Sequence, residues 1–285
     1  MDYTSWINKT NKEDDRITIS PIWGFYDVLN KSIASPKSGD SIPPGSHWCF
    51  FQPHVPMDKV GVDGHPKRGS FMPDPPDLPR RMFAGAKIIF DNEIKIDDIV
   101  SRVQTIKSIN EKIGQSGKLL FVNLEEKYFV NNKLCITQLS DIVYREAPDL
   151  TAKSKSQNKI HKDLDKNINF FKTKKISPDP VMLFKYSAIT FNGHRIHYDR
   201  KYAETEEGYP GLIVHGPLTA TLLMNFCIEI YNKRIEEFKF RALKPIFDIE
   251  KFTINATKKN SDNIIELSAI NTKNEICMAA FAKIS

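Results

Sequence analysis

Two closely spaced histidines within a run of polar side chains are the residues of this sequence best suited to chemistry. Residues 191–199 read Phe-Asn-Gly-His-Arg-Ile-His-Tyr-Asp and follow an apolar stretch. Core packing does not explain so many polar side chains in succession. A solvated surface loop is one interpretation of His194 and His197. A zinc site is another, but it needs a third and a fourth ligand that the sequence does not place, so we predict no metal.

These residues and the sequence after them resemble the MaoC-like hydratases and dehydratases, which have the hot-dog fold. The resemblance rests on TFNGHRIHYDRKYA and, after a short spacer, on YPGLIVHGPLTATLL. In that family an acid or amide is followed, after four residues, by a histidine. The corresponding positions here are Asn192 and His197, and the family's Val-His-Gly segment falls on Val214, His215 and Gly216.

Segments of the N-terminal half resemble the branch of this family that carries two hot-dog units in one chain. They read HWCFFQP, DGHPKRGSFMP, LPRRMFAGAKIIF, GQSGKLLFV and DIVYRE. The branch contains 3-methylfumaryl-CoA (mesaconyl-CoA) hydratase, itaconyl-CoA hydratase and fungal mitochondrial 3-hydroxyacyl-thioester dehydratases. The resemblance implies an α+β double hot-dog fold, with two long helices each wrapped by an antiparallel sheet. It also implies a hydro-lyase without cofactor that reversibly hydrates a 2-enoyl-CoA, with a short branched dicarboxylic acyl group such as 3-methylfumaryl or itaconyl.

The resemblance also implies catalytic roles. Adding water to a double bond conjugated to a thioester needs a base for the water, a proton for the α-carbon and stabilisation of the enolate oxygen. His197 is the expected acid and base. Asn192 accepts no proton at neutral pH, so it is expected to orient the water or the imidazole. The enolate oxygen is expected at the start of the following helix, where Pro217 lacks an N–H and Gly216 supplies one.

Four further residues are predicted near the substrate. Arg195 is expected to hold the far carboxylate of a dicarboxylic acyl group, with a pyrophosphate contact or a simple surface charge as alternatives. Tyr186 and Tyr198 are expected to line the acyl pocket. His215 is expected to pack beneath the site more than to react.

The positive charge of the chain is confined to residues 151–178. The 285 residues carry 41 Lys and Arg against 35 Asp and Glu, a net charge of +6. This segment has eight lysines and two aspartates, so it holds the whole excess, as a linker would, and the sequence offers no basic nucleic-acid-binding face. We predict an N-terminal hot-dog domain over residues 1–150, catalytically silent because it lacks the Asn-x4-His pair, and a C-terminal domain over residues 179–285 that carries the motif.

Sequence patterns also predict the elements that position the motif. Eleven of the 17 prolines lie between Pro21 and Pro79, so residues 36–79 are predicted to form a long ordered loop after a short helix over residues 21–33. An apolar stripe predicts a buried helix that begins near Pro217; it comprises Leu218, Leu222, Leu223, Phe226, Cys227 and Ile230. Strand patterns fill most of residues 82–146 and 238–285, with a hairpin at Asn131-Asn132. The similar order of parts in the two halves suggests an internal repeat.

Composition limits the remaining classes. No apolar stretch is long enough to cross a membrane and the N-terminus lacks a signal pattern, so we expect a cytoplasmic protein. The four cysteines are dispersed and are expected to be buried apolar residues. Monomer and homodimer both remain open. Two alternatives to an acyl-CoA hydratase also remain: a 3-hydroxyacyl-ACP dehydratase of fatty-acid synthesis and a non-catalytic acyl-thioester-binding protein. Arg80 and Arg81 are expected to form structural ion pairs.

Overall fold

Segments rich in β-branched and aromatic residues form ten strands that join in one antiparallel sheet. The computed structural model describes residues 2–32, 35–114, 117–147 and 169–285. The strands are β1 (Thr10–Arg16), β2 (Arg80–Phe90), β3 (Ile99–Gly114), β4 (Gly117–Val130), β5 (Lys133–Arg145), β6 (Lys172–Ile176), β7 (Ile235–Ala242), β8 (Phe252–Ala256), β9 (Ile264–Ile270) and β10 (Ile276–Ile284).

The strand order shows that the two halves repeat one topology. Across the sheet the order is β1-β3-β4-β5-β2-β7-β10-β9-β8-β6, so β6 to β10 mirror β1 to β5 and the halves meet at the antiparallel pair β2–β7. Equivalent hydrogen bonds mark the repeat. After β2 the N–H groups of Asp91 and Asn92 donate to the carbonyl of Cys135, and the two residues after β7 donate in the same way to Cys277. The predicted internal repeat is confirmed.

The hairpin between β4 and β5 shows how local sequence sets the strand register. Asn131 and Asn132 both have positive φ, 49° and 62°, in the left-handed region that asparagine tolerates better than other residues with a side chain. A two-residue turn of this kind matches the twist of the flanking strands. The hairpin is therefore where the sequence predicted it.

Four helices accompany the sheet: α1 (Ile19–Val28), α2 (Pro180–Ile189), α3 (Arg200–Thr205) and α4 (Gly216–Tyr231). The apolar stripe of α4 packs on β7 to β10 and touches β2, so this helix fills the core of the second half. Asn232, in the left-handed conformation, ends it. Helix α2 begins with the carboxylate of Asp179 as its N-cap and packs against α1. No helix among the described residues is long and apolar enough to span a membrane.

The prediction of a second long helix, in the first half, is wrong. At the place that corresponds to α4, the described chain forms only a 3₁₀ helix, Ser46–Cys49. Prolines at positions 43, 44, 53 and 56 flank this segment and remove backbone donors that a long helix would need. A long loop follows up to β2, as predicted for residues 36–79. Its last part contributes Leu78 to a small apolar cluster that also includes Tyr144.

The predicted linker is partly a strand. Residues 151–168 of this lysine-rich segment lie outside the described residues. Its final part contains β6, which pairs with β8 at the edge of the sheet. The three lysines of β6 remain solvated, as an edge strand allows, and Ile176 at its end is buried. The four cysteines are buried and free, as expected.

Candidate active site

The motif, residues 191–199, directly follows α2 and forms a compact turn. Phe191 takes a positive φ of 49° just after the helix, and the N–H of Asn192 donates to the carbonyl of Ser187. The side-chain oxygen of Asn192 accepts from the N–H of His194 at 3.0 Å. Asn192 therefore caps the motif backbone. Its predicted contact with a water or with the imidazole of His197 stays a prediction.

One hydrogen bond fixes the tautomer of His197. Its Nδ1 lies 2.7 Å from the carbonyl oxygen of Ile213, and a carbonyl only accepts, so Nδ1 carries the hydrogen. The Nε2 atom of the neutral ring is then a bare acceptor, the form a base requires. Burial lowers the pKa of His197 to about 4, against the opposing effect of the Ile213 bond. At neutral pH the ring is therefore uncharged and ready to accept a proton.

A second imidazole supports His197 from behind. The ring of His215 stacks on that of His197, with centroids 3.7 Å apart and planes 18° from parallel. Its Nε2 is 2.8 Å from the Ser187 hydroxyl, and Tyr186 packs edge-on against it at 5.0 Å. His215 has no exposed surface and Tyr186 has 1%, so both lie behind His197 and not at an open pocket wall. Burial lowers the pKa of His215 well below its ordinary value, and a charge on His197 would lower it further.

The start of α4 lies directly after His215. Gly216 is the first helical residue, so its N–H has no acceptor within the helix, and Pro217 follows it. A Cβ added at Gly216 would meet nothing within 4 Å. The free N–H, the helix dipole and the open space together suit a ligand with a developing negative charge.

Arg195 and Tyr198 are occupied by contacts within the protein. The guanidinium of Arg195 donates to Asp199 through Nε at 3.0 Å and Nη2 at 2.7 Å, and it stacks over Tyr202. Tyr198 is exposed and donates its hydroxyl proton to the carbonyl of Gly193. Both side chains hold the motif together. Their predicted substrate contacts would require these bonds to be released.

A turn from the first half is docked on the motif. Residues 61–65, which we call the docking turn, are closed by the N–H of Gly61 donating to the carbonyl of His65 at 2.7 Å. The N–H of Arg195 donates to the carbonyl of Asp63 at 2.9 Å. A Cβ at Gly64, whose φ is +87°, would lie 1.8 Å from the carbonyl oxygen of Gly193. Only glycine permits this approach of the two backbones.

The docking turn brings a third imidazole and a carboxylate to the motif. Asp63 Oδ2 accepts from His65 Nδ1 at 3.1 Å, and the His65 ring lies 4.2 Å from that of His194, which is 5.4 Å from that of His197. Burial lowers the pKa of His194 to about 2, and it also lowers that of His65 against the bond to Asp63. Burial alone would raise the pKa of Asp63, but the contacts with His65 outweigh it and lower the pKa. The carboxylate is ionised beside neutral rings.

Three of these side chains have the composition of a metal site. One nitrogen each of His65 and His194 and one oxygen of Asp63 lie within 4.8 Å of one another. Two imidazoles and a carboxylate could hold a divalent ion, although a closed structural zinc site uses four ligands. The sequence prediction weighed only His194 and His197 and missed Asp63 and His65. The Asp-Gly-His spacing in the proline-rich loop is the signal that could have suggested them.

Two arginines at the start of β2 differ in their partners. Arg80 forms an ion pair with Glu207 of the second half, with both side chains largely buried, as predicted for a structural pair. Arg81 forms no ion pair with a carboxylate of the described residues, so that prediction is wrong for Arg81. Its positive charge lowers the pKa of both His65 and His194, so its charge lies near both rings.

A cavity of about 330 Å³ lies at the other end of α4, lined by residues that include Phe90, Ile228 and Asn232. The 16-residue helix spans about 24 Å, so this cavity is far from Gly216 and His197. It contains none of the motif residues.

Comparison with known proteins identifies relatives over nearly the whole chain. The family model for hydroxyacyl-thioester dehydratase type 2 matches residues 45–248. Mesaconyl-C(4)-CoA hydratase from Chloroflexus aurantiacus is 40% identical over 265 residues, which is 92% of this chain and 91% of the relative. The mitochondrial hydroxyacyl-thioester dehydratase type 2 of Schizosaccharomyces pombe is 25% identical over 232 residues, 73% of this chain and 75% of the relative.

Solved structures confirm the fold. A MaoC-like dehydratase from Phytophthora capsici aligns with a TM-score of 0.72 at 12% identity, covering 98% of this chain and 96% of the other. A Mycobacterium tuberculosis protein described as having a double hot-dog fold aligns with a TM-score of 0.60 at 8% identity, covering 98% and 96%. The α+β double hot-dog fold predicted from sequence is thus confirmed.

Proposed function

The chain belongs to the hydroxyacyl-thioester dehydratase type 2 family, and from that membership and the site geometry we propose that it is a hydro-lyase that reversibly hydrates a 2-enoyl-CoA. The observation that carries this proposal is the state of His197: a neutral ring with Nδ1–H bound to Ile213 and a bare Nε2, stacked on His215, the residue directly before Gly216. A base and an anion-binding N–H are the two groups that the reaction requires.

The proposed reaction uses both groups in sequence. A water oxygen bonds to the carbon β to the thioester carbonyl while one water proton passes to Nε2 of His197. The electrons of the double bond move to the thioester oxygen, where the N–H of Gly216 and the dipole of α4 stabilise the enolate. The carbonyl then re-forms, and the α-carbon takes the proton from His197. One water is added, and His197 returns to its starting state.

We propose a short branched dicarboxylic acyl group, such as 3-methylfumaryl, as the substrate. The support is the 40% identity to a mesaconyl-C(4)-CoA hydratase. A second carboxylate needs a cation, and Arg195 is already bound to Asp199. Arg81 is the better candidate, because it has no carboxylate partner among the described residues and its charge reaches His65 and His194 beside the motif.

The test is a comparison of substrates with the purified protein. 3-Methylfumaryl-CoA, itaconyl-CoA and crotonyl-CoA are supplied separately, and hydration is followed by the loss of absorbance of the conjugated double bond where the substrate has one, and by product mass for each. We expect turnover of 3-methylfumaryl-CoA with the highest kcat/KM. Absence of turnover with every thioester would contradict the proposed function.

A dehydratase acting on acyl-ACP is the second candidate, favoured by the match to the mitochondrial enzymes of two yeasts. The same 3-hydroxyacyl group presented on CoA and on ACP distinguishes the two. A kcat/KM that is at least tenfold higher for the ACP thioester, a difference of about 1.4 kcal/mol in transition-state stabilisation, would favour this candidate.

A further inference from the structure

The catalytic half lacks a carboxylate at the position where other members of the family can carry an acid. Asn192 stands there, and its oxygen accepts from the N–H of His194. The amide oxygen keeps a second lone pair, but it carries no charge and takes up no proton at neutral pH, so Asn192 is a weaker acceptor for an attacking water than a carboxylate. A water that loses one proton to His197 needs a second acceptor to hold its orientation.

The docking turn brings a hydrogen-bond acceptor, a ring nitrogen of His65, to the motif. Because the ionised carboxylate of Asp63 only accepts, the atom that it binds, Nδ1 of His65, carries the hydrogen. The Nε2 atom of the neutral His65 ring is then a bare acceptor, in the same tautomer as His197. Two imidazoles held in this state, one from each half, have ring centroids 4.2 Å and 5.4 Å from that of His194.

Backbone contacts fix the position of His65 relative to Asn192. Gly64 and Gly193, which precede His65 and follow Asn192 in the chain, touch so closely that a Cβ on either would overlap the other's carbonyl. The side chains of His65 and Asp63 remain 22% and 33% exposed, so water reaches them, whereas His215 is closed off. One ring nitrogen of His65 lies within 4.8 Å of one of His194, so the two rings meet at the motif.

We propose that His65, oriented by Asp63, binds the attacking water from the first half and takes the place of the carboxylate that is missing at position 192. The inference rests on the proposed function. It makes the active site composite: the base and the enolate-binding N–H come from the second half, and the water acceptor comes from the first. The first half is then not catalytically silent.

The decisive experiment combines two substitutions in the full chain and uses 3-methylfumaryl-CoA. We expect His65→Ala to lower kcat about 100-fold, within the range found for loss of a proton-handling group, with KM little changed. Asn192→Asp in the His65→Ala background places a carboxylate at position 192, so we expect kcat to rise at least tenfold above that of His65→Ala, which a purely structural role of His65 would not produce.

Control variants separate water binding from folding. His54 lies in the same long loop, is exposed and contacts only the ring of Phe191 among aromatic neighbours, so His54→Ala should retain wild-type activity. Asp63→Asn keeps the volume of the side chain but removes its charge and leaves one acceptor oxygen for the two bonds, from the backbone N–H and from Nδ1 of His65, that the carboxylate accepts. We expect it to lower kcat with an unchanged melting temperature, which keeps the test valid if His65→Ala is unstable.

Three results would overturn the inference. One is a His65→Ala variant with wild-type kcat. Another is a kcat loss that Asn192→Asp does not reverse. The third is loss of activity after dialysis against a chelator with recovery on adding Zn²⁺ or Mn²⁺, because Asp63, His65 and His194 would then be metal ligands. In each case wild-type hydration still supports the proposed function, whereas a wild-type protein that hydrates no enoyl-CoA contradicts that function itself.

Discussion

The protonation state of single histidines determines the chemistry of this site. Four histidines of the site have a pKa lowered chiefly by burial: His65, His194, His197 and His215. A group whose pKa is lowered stays neutral at pH values where a solvated histidine would already be charged. His197 is therefore already unprotonated at Nε2 at neutral pH, and no neighbouring group has to remove a proton from it.

This state predicts an unusual pH profile. If His197 has a pKa of about 4, kcat/KM should remain constant from about pH 8 to about pH 5 and fall only below that, because the neutral base persists. Initial rates of hydration across this range, with substrate well below KM, provide the measurement. A fall centred near pH 6.5, the ordinary value for histidine, would show instead that the base is solvated.

Arg81 makes a second prediction at this scale. Arg81→Gln removes the charge proposed to bind the distal carboxylate, and a hydrogen bond between charged groups contributes about 1.5–3 kcal/mol. We expect kcat/KM for 3-methylfumaryl-CoA to fall by about 10- to 100-fold. Crotonyl-CoA has no second carboxylate, so its kcat/KM should change much less. Equal losses for both substrates would assign Arg81 to the fold or to the CoA moiety.

Residues close in the chain were predictable, and residues brought together by folding were not. Asn192, His197 and Gly216 follow one another along a short stretch, so their spacing could be recognised. Asp63 and His65 belong to a loop whose docking depends on a contact between two glycines in different halves. No local pattern in the sequence records that contact.

At the scale of elements, two segments meet to form the site: the turn after α2 and the docking turn. Their contact depends on Gly64, where an added Cβ would lie 1.8 Å from Gly193, whereas at Gly69 in the same loop, also with positive φ, the nearest atom would be 3.8 Å away. Both glycines thus need a positive φ, but only Gly64 lacks room for a Cβ.

Substitution at these two positions separates docking from backbone strain. Gly64→Ala should displace the docking turn and lower kcat by about 100-fold, as expected when a proton-handling group leaves the site. Gly69→Ala bears a similar strain of about 1–2 kcal/mol and should retain most activity. Hydration rates and melting temperatures of both variants test this. Equal activities would show that docking is irrelevant to turnover.

The elements themselves were predictable where local signals were strong. The stripe of α4 and the Asn131-Asn132 turn appear where expected. The missing long helix of the first half was mispredicted because the resemblance between the halves implied a helix that the surrounding prolines prevent. Strand β6 was missed because an exposed edge strand rich in lysine has the composition of a linker.

At the scale of the whole molecule, the two halves form one sheet across β2 and β7 and are further joined by an ion pair. Arg80 and Glu207 are only 12% and 13% exposed, whereas Arg16 and Asp97, a pair within the first half, are 61% and 41% exposed. Breaking a buried pair leaves a charge without a partner and destabilises by about 3–5 kcal/mol, against about 0–1 kcal/mol for an exposed one.

Thermal unfolding tests this difference. At about 2–4 °C per kcal/mol for a protein of this size class, Arg80→Ala should lower the melting temperature by roughly 6–20 °C. Arg16→Ala serves as the matched control and should lower it by less than about 4 °C. Equal shifts would mean that the Arg80–Glu207 pair contributes no more than a surface contact.

The proposed activity depends most directly on His197. Hydration of 3-methylfumaryl-CoA by the wild-type protein and by His197→Ala, both shown to be folded by their melting temperatures, compares the site with and without its base. We expect the variant to lose about 10²–10⁴-fold in kcat, because no other group takes the proton of the water. A folded His197→Ala variant that hydrates the substrate as fast as wild type would contradict the assignment of the base.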